Sequence, residues 1–274
     1  MKKREFTEEE KIQIKAELDA GVAKSVIAKK YNTSYVTFKK RLIEWGFPLG
    51  KLTGYGGRKR QYNVNDSYFH TIDSEDKAYW LGFLYADGYI TEGNKIGLSL
   101  ASTDVEHIEK FKNSISAEAP INNYETETAY GLAKYSRIII NSREMYLDLI
   151  SHGLIERKTD YITFPINSIP DELINHFIRG YFDGDGCISG LKKETYKIKI
   201  CGTESMLRSF ESFLPINKND RKLYQRNEGQ IVKSLDISGK HQVVDCINYL
   251  YKNATIFLDR KYLKTQSVLN ELSE

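Results

Sequence analysis

Two aspartates recur in matching surroundings. Ala78-Tyr79-Trp80-Leu81-Gly82-Phe83-Leu84-Tyr85-Ala86-Asp87-Gly88 and His176-Phe177-Ile178-Arg179-Gly180-Tyr181-Phe182-Asp183-Gly184-Asp185-Gly186 are each an apolar run with an internal glycine. Each ends in a small residue followed by Asp-Gly. Asp87 and Asp185 lie 98 positions apart. An Asp-Gly after one helix is an ordinary turn, but the same ending twice inside a repeat points to a site. A carboxylate at a helix C-terminus meets the negative end of the dipole, and two side by side repel each other. A divalent cation between them removes both penalties, and all-oxygen ligands select Mg²⁺ or a similar hard ion such as Mn²⁺. Asp183 has Tyr85 as its counterpart and is expected to be structural or peripheral.

The repeat also contains what must position these acids. Asn94–Thr103 and Glu194–Thr203 alternate apolar and polar residues, as half-buried strands do. Val105–Ile115 and Met206–Leu214 read as helices. Arg137–Asn141 and Ser234–Ser238 read as strands, preceded by weaker ones near Asn123–Tyr130 and Lys222–Arg226. Helices follow at Arg143–Ile150 and Lys240–Leu250, and each copy ends in an Arg-Lys pair, Arg157-Lys158 and Arg260-Lys261. Each half is therefore expected to run helix, two strands, helix, two strands, helix. Gly82 and Gly180, extended by Ala86 and Gly184, are expected to let the two motif helices pack closely about a pseudo-two-fold axis.

The segments Trp80–Gly88 and Ile178–Gly186 resemble the two signature helices of the LAGLIDADG homing endonucleases. The likeness covers roughly residues 76–265. It is inexact at the start of each motif and good at the packing glycine and the small-Asp-Gly end. It implies an α+β fold of two αββαββα halves whose antiparallel saddle sheets sit on double-stranded DNA. It implies a monomeric, site-specific endonuclease with Asp87 and Asp185 as catalytic metal ligands. Lys158 and Lys261 resemble the basic residues that assist in the family, although phosphate contact or plain surface exposure is nearly as good a reading of each. DNA contacts are expected on the strand faces opposite the apolar ones: Lys95 and Ser99 in the first half, and Lys197, Lys199, Lys222, Tyr224 and Arg226 in the second. Two other roles stay open: an RNA maturase acting on an intron, and a DNA-binding regulator that does not cut.

Charge is distributed unevenly. The whole chain of 274 residues carries a net charge of +3. Residues 1–60 hold 15 basic and 7 acidic side chains, residues 61–190 hold 10 and 20, and residues 191–274 hold 15 and 10. Charge runs are usually solvated surface, but basic ends favour a polyanionic partner.

The head reads as three helices, at 7–19, 24–31 and 34–45. Thr7 is a cap, and Asn32 suits a left-handed turn. The string Ile27–Phe38 resembles the helix-turn-helix of DNA-binding proteins. It implies that Tyr35, Val36, Lys39, Lys40 and Arg41 face the major groove; a protein-interaction bundle is the competing interpretation. Gly46–Arg60 holds five Gly and one Pro and reads as a linker, with Arg58, Lys59 and Arg60 available to a DNA backbone or simply solubilising. The expected layout is a helix-turn-helix domain at 1–47, a linker at 48–72, and halves at 73–168 and 169–274.

Several classes are disfavoured. No apolar stretch approaches a membrane span, and no secretory leader is evident. Three cysteines without CxxC spacing fit a reducing, cytoplasmic setting, whether in an ordinary cell, an organelle or a phage-infected cell. His70, His107, His152, His176 and His241 form no ligand-like cluster, which argues against a histidine or zinc nuclease. The start at Met1 and the end at Glu274 argue against an intein.

Overall fold

The duplicated sequence builds two like halves. The structure is a computed structural model that describes residues 6–20, 22, 24–45, 47, 61–129, 131–190, 196–217, 223–225 and 231–273. The side chains of residues 36, 39, 40, 43, 44 and 273 also fall outside the description. The chain divides into two compact units, Met1–Lys59 and Arg60–Glu274.

In the smaller unit, α1 (Glu8–Asp19), α2 (Lys24–Lys30) and α3 (Tyr35–Glu44) enclose a core of Ile14, Ile27, Ala28, Tyr31, Phe38 and Leu42. A reciprocal cap starts α1. The Thr7 hydroxyl accepts from the Glu10 amide at 3.2 Å, and the Glu10 carboxylate accepts from the Thr7 amide at 3.1 Å. Asn32 turns the chain between α2 and α3 with φ of 52°.

The larger unit runs α4 (Glu75–Ala86), β1 (Gly88–Thr91), β2 (Lys95–Ala101), α5 (Val105–Ser114), β3 (Asn122–Thr128), β4 (Gly131–Asn141) and α6 (Arg143–Ser151). The second half repeats this order as α7 (Ile174–Asp185), β5 (Gly186–Ser189), β6 (Lys197–Gly202), α8 (Glu204–Phe213), β7 (Tyr224–Gln225), β8 (Lys233–Ser238) and α9 (Lys240–Tyr251). The two antiparallel sheets are ordered β1-β2-β4-β3 and β5-β6-β8-β7. This is the α+β, αββαββα architecture expected from the repeat. One further helix, α10 (Asp259–Ser273), has no helical counterpart in the first half, where Lys158–Asp160 forms a single 3₁₀ turn. Its buried Thr265, Val268 and Leu272 fall three to four residues apart, the period that packs one helix face.

Alternation along the strands gives each sheet one buried face. Ile96, Leu98, Leu100, Ile138 and Ile140 point into the first half, and Ile198, Ile200, Leu235 and Ile237 into the second. The amphipathic helices α5 and α8 cover these faces with Ile108 and Phe111, and with Met206, Leu207 and Phe210.

Helices α4 and α7 lie between the halves. Ser74 caps α4 by accepting from the Lys77 amide, and Glu75 and Asp76 suit its first turn. Ala78 to Ala86 is then buried all round, so this helix belongs to both cores at once. A methyl added at Gly82 would lie 2.0 Å from the Phe177 carbonyl oxygen, and one added at Gly180 would lie 2.0 Å from that of Tyr79. The backbones therefore touch at two equivalent points. A partly buried ion pair accompanies the seam: Arg179, fully buried, donates to the half-buried Glu75 at 2.6 Å and to the carbonyls of Leu250 and Ile256.

Replacing Gly180 with Ala should raise helix propensity yet lower stability, because the obstacle is backbone that cannot rotate away. The expected net loss is about 1–3 kcal/mol in urea unfolding. An unchanged or increased stability would show that the seam can open at little cost.

Candidate active site

Asp87 caps the end of α4 and Asp185 is the last residue of α7. Close approach of the two helices brings these ends together. A methyl on Gly184 would sit 2.3 Å from the Ala86 Cβ and 3.2 Å from the Asp87 Oδ2. The two carboxylates are reached by solvent, while protein surrounds them on their other sides. Partial burial, together with the neighbouring Asp87 charge, pushes the Asp185 carboxyl up to about 6. Asp87 is also raised, mainly by burial, with Lys261 and Lys158 opposing.

Both lysines of the Arg-Lys pairs reach these helix ends. The Lys158 Nζ donates to the Ala86 carbonyl at 2.5 Å. The Lys261 Nζ donates to the carbonyls of Phe182 at 2.7 Å, Gly184 at 3.2 Å and Gly186 at 2.5 Å. Ala86 and Gly184 occupy the same place in the repeat, so the contacts are equivalent. A cation suits the negative end of a helix dipole. Lys261 is only 9% exposed, which excludes the plain surface lysine that its sequence position also allowed. Burial lowers both amines, Lys261 to about 8, against the pull of nearby aspartates.

The donor set fits a hard divalent cation. Two carboxylates supply oxygen only, and they sit where negative charge is in excess. Among the described residues, no group of three or more His, Cys, Asp and Glu side chains forms a fuller cage. Such a site leaves most coordination positions to water or a phosphate, which suits Mg²⁺.

Asp183 does not join this group. It is fully buried and accepts from the Tyr79 hydroxyl at 2.7 Å, the Tyr251 hydroxyl at 2.5 Å and the Leu258 amide at 2.8 Å. Its counterpart Tyr85 donates instead to the His152 carbonyl. The Tyr79 hydroxyl also meets His107, whose imidazole is driven down to about 3 by burial and is therefore neutral.

The outward sheet faces hold the remaining expected residues. Lys95 is exposed and Ser99 half-buried on β2. Lys197 and Tyr224 are exposed, while Lys199 faces Asp236 at 3.6 Å. Sequence reasoning missed an aromatic group on the first sheet. Tyr124 and Tyr135 are directly paired and their rings stack with centroids 5.2 Å apart, and the Arg137 guanidinium lies 4.4 Å over the Tyr124 ring. Residues 135 and 137 share the face opposite buried Ile138, and that alternation was the available signal. In the head, Tyr35 and Arg41 are half-buried on α3. The side chains of Val36, Lys39 and Lys40, and the whole of Arg58, Lys59, Arg60, Lys222 and Arg226, lie outside the described residues.

The architecture is similar to that of the homing endonuclease I-WcaI bound to its DNA recognition sequence. The match has a TM-score of 0.52 at 15% identity and covers 77% of this chain and 95% of that one. This is the LAGLIDADG homing endonuclease fold. The LAGLIDADG homing endonuclease I-GzeII, in complex with a DNA target, matches 74% of this chain and 90% of its own at 14% identity and a TM-score of 0.49. No protein-family model matches the sequence. The replication factor C small subunit of Methanocaldococcus jannaschii is 25% identical over 167 residues, which is 55% of this chain. The chain spans only 8% of that protein's length. Among the described residues, no helix is long and apolar enough to cross a membrane.

The raised carboxyl of Asp185 has a thermodynamic consequence. A carboxyl lifted in the folded state contributes stability that is complete below its unfolded value and is lost as pH rises through about 6. A bound cation should restore that loss. Added Mg²⁺ should therefore raise the melting temperature more at pH 7.5 than at pH 5, and Asp87→Asn with Asp185→Asn should remove the difference. Equal Mg²⁺ shifts at both pH values in scanning calorimetry would argue against cation binding at these carboxylates.

Proposed function

We propose that this protein is a monomeric, Mg²⁺-dependent, site-specific double-strand DNA endonuclease. The observation that carries the reading is the meeting of two acidic helix ends, each with a lysine on the adjoining carbonyl, Lys261 buried and Lys158 half-buried. The arrangement is duplicated, as cutting of two strands requires. Asp87 and Asp185 hold the cation, which when bound activates water and offsets charge on the scissile phosphate. Lys158 and Lys261 add fixed positive charge beside each carboxylate. Their amines stay aimed by the carbonyls they bond, so little reorganisation is needed when a phosphate arrives.

The outward sheet faces serve as the DNA surface. On the first, Lys95 and the Arg137 guanidinium supply cationic donors, and the stack beneath Arg137 holds its plane fixed. On the second, Lys197, Lys199 and Tyr224 face outward, with Lys222 and Arg226 assigned to the same surface from sequence. The head adds a helix-turn-helix whose third helix meets the major groove through Tyr35, Val36, Lys39, Lys40 and Arg41, while Arg58, Lys59 and Arg60 follow the backbone.

Selection of cleaved sites from a randomised duplex library in Mg²⁺ tests the activity. A single long site should be enriched, and the Asp87→Asn, Asp185→Asn double variant should cut it at least ~10³-fold more slowly, in line with losses of groups that stabilise transition-state charge. Undiminished cutting by that variant rejects the assignment. Tight binding of a structured RNA without cutting of any DNA would favour the maturase role. Deletion of residues 1–60 should weaken DNA binding and flatten the dependence of affinity on salt, since each phosphate contact contributes about 0.9 to that slope. An unaltered affinity and slope would remove the head from the DNA-binding surface.

A further inference from the structure

The segments that deliver the two lysines are held from across the molecule. Immediately before Lys261, three residues of the second half are bound by side chains of the first. The Arg260 Nε donates to both carboxylate oxygens of Asp104, at 3.0 and 2.9 Å. The Lys110 Nζ donates to the Asp259 carboxylate at 2.8 Å and to the Phe257 carbonyl at 3.2 Å. Asp104 is 9% exposed and stands at the entrance to α5.

The reverse tie occupies the same place in the other half. Thr203, at the entrance to α8, donates its hydroxyl to the Ile162 carbonyl at 2.6 Å. Ile162 and Tyr161 in turn both donate their amides to the Lys158 carbonyl at 3.0 Å. The turn bearing Lys158 is thus closed by its own backbone and tied to the second half through the Thr203 hydroxyl. Thr203 also accepts from the Met206 amide at 3.2 Å, so the one side chain starts α8 and moors the neighbouring turn.

We propose that Asp104 and Thr203 are reciprocal positioning residues, each setting the lysine of the opposite half. This rests on the reading of Lys261 and Lys158 as partners of the two acidic helix ends. Neither lysine is placed by its own half alone, so each cutting centre is complete only when both halves are docked. The two moorings differ in kind. Lys261 is held through an ion pair in which one Arg260 N–H is shared between both Asp104 oxygens and through a second ion pair, and Lys158 through a neutral hydrogen bond. The strand served by each lysine should therefore respond to a different substitution.

The test uses the full-length protein and its selected duplex site, with the two strands carrying different end labels, under single-turnover conditions. Asp104→Ala should slow cutting of one strand about tenfold relative to the other. Thr203→Val should slow the opposite strand, and Thr203→Ser, which restores the hydroxyl, should recover it. Asp104→Asn serves as the milder variant where Asp104→Ala lowers the folded fraction. A second measurement does not depend on cutting. Acetic anhydride labelling of amines, mapped by mass spectrometry, should rise at Lys261 and not Lys158 in the Asp104 variants, and at Lys158 and not Lys261 in Thr203→Val. Equal slowing of both strands, or equal labelling of both lysines by either variant, overturns the proposal. A wild-type protein that cuts no duplex refutes the nuclease reading instead, and the labelling then decides the mooring by itself.

Discussion

Two backbone contacts carry the geometry of the larger unit. At Gly82 and at Gly180 the opposing carbonyl occupies the space where a side chain would begin. Helices that approach this closely end close together, and their ends bear Asp87 and Asp185. The same approach directs both negative dipole ends at one spot, which explains why two lysines, and a cation, are suited there. The sheets follow, because β1 and β5 start directly after the aspartates and fix the direction in which each sheet leaves the seam.

The seam is not held by van der Waals contact alone. The buried Arg179 with Glu75, and Asp183 with Tyr79, place polar pairs across it. Such pairs add little net stability over apolar packing, yet removing one partner strands the other without solvent. They therefore penalise any sliding of α4 against α7. A slide of even one residue would separate the carboxylates and leave buried charges unmatched, so the polar pairs define the register that the glycines permit.

Much of this was legible from residue order because the information was local or repeated. Strand alternation, the apolar motif runs, the Thr7 cap and the turn at Asn32 are short-range patterns, and the order of elements followed from them. The duplication singled out Asp87 and Asp185 from thirty-seven acidic residues. The ties at Asp104, Lys110 and Thr203 were not legible, since each looks like an ordinary surface or cap residue until a partner far along the chain is placed beside it. Helix α10 was hidden for a related reason: the repeat has no second copy of it. Arg137 was read as a strand residue, and its role as a stacked cation depends on a tyrosine from the neighbouring strand.

The exchange of Tyr85 for Asp183 at equivalent positions makes the seam chemically one-sided. Tyr79 faces Asp183 across the seam, and the symmetric partners are Phe177 and Tyr85, whose rings meet edge-on at 5.1 Å. Two copies of the second half, paired as a dimer, would set each Asp183 against a phenyl ring that has no proton to offer. Two copies of the first would set tyrosine against tyrosine and leave no carboxylate to accept. The Tyr79–Asp183 bond thus forms only between unlike halves, while Asp183 keeps Tyr251 and Leu258 as donors from its own half. The two halves are therefore not interchangeable across the seam, for a hydrogen bond on one side of the pseudo-two-fold axis is matched by an aromatic edge contact on the other.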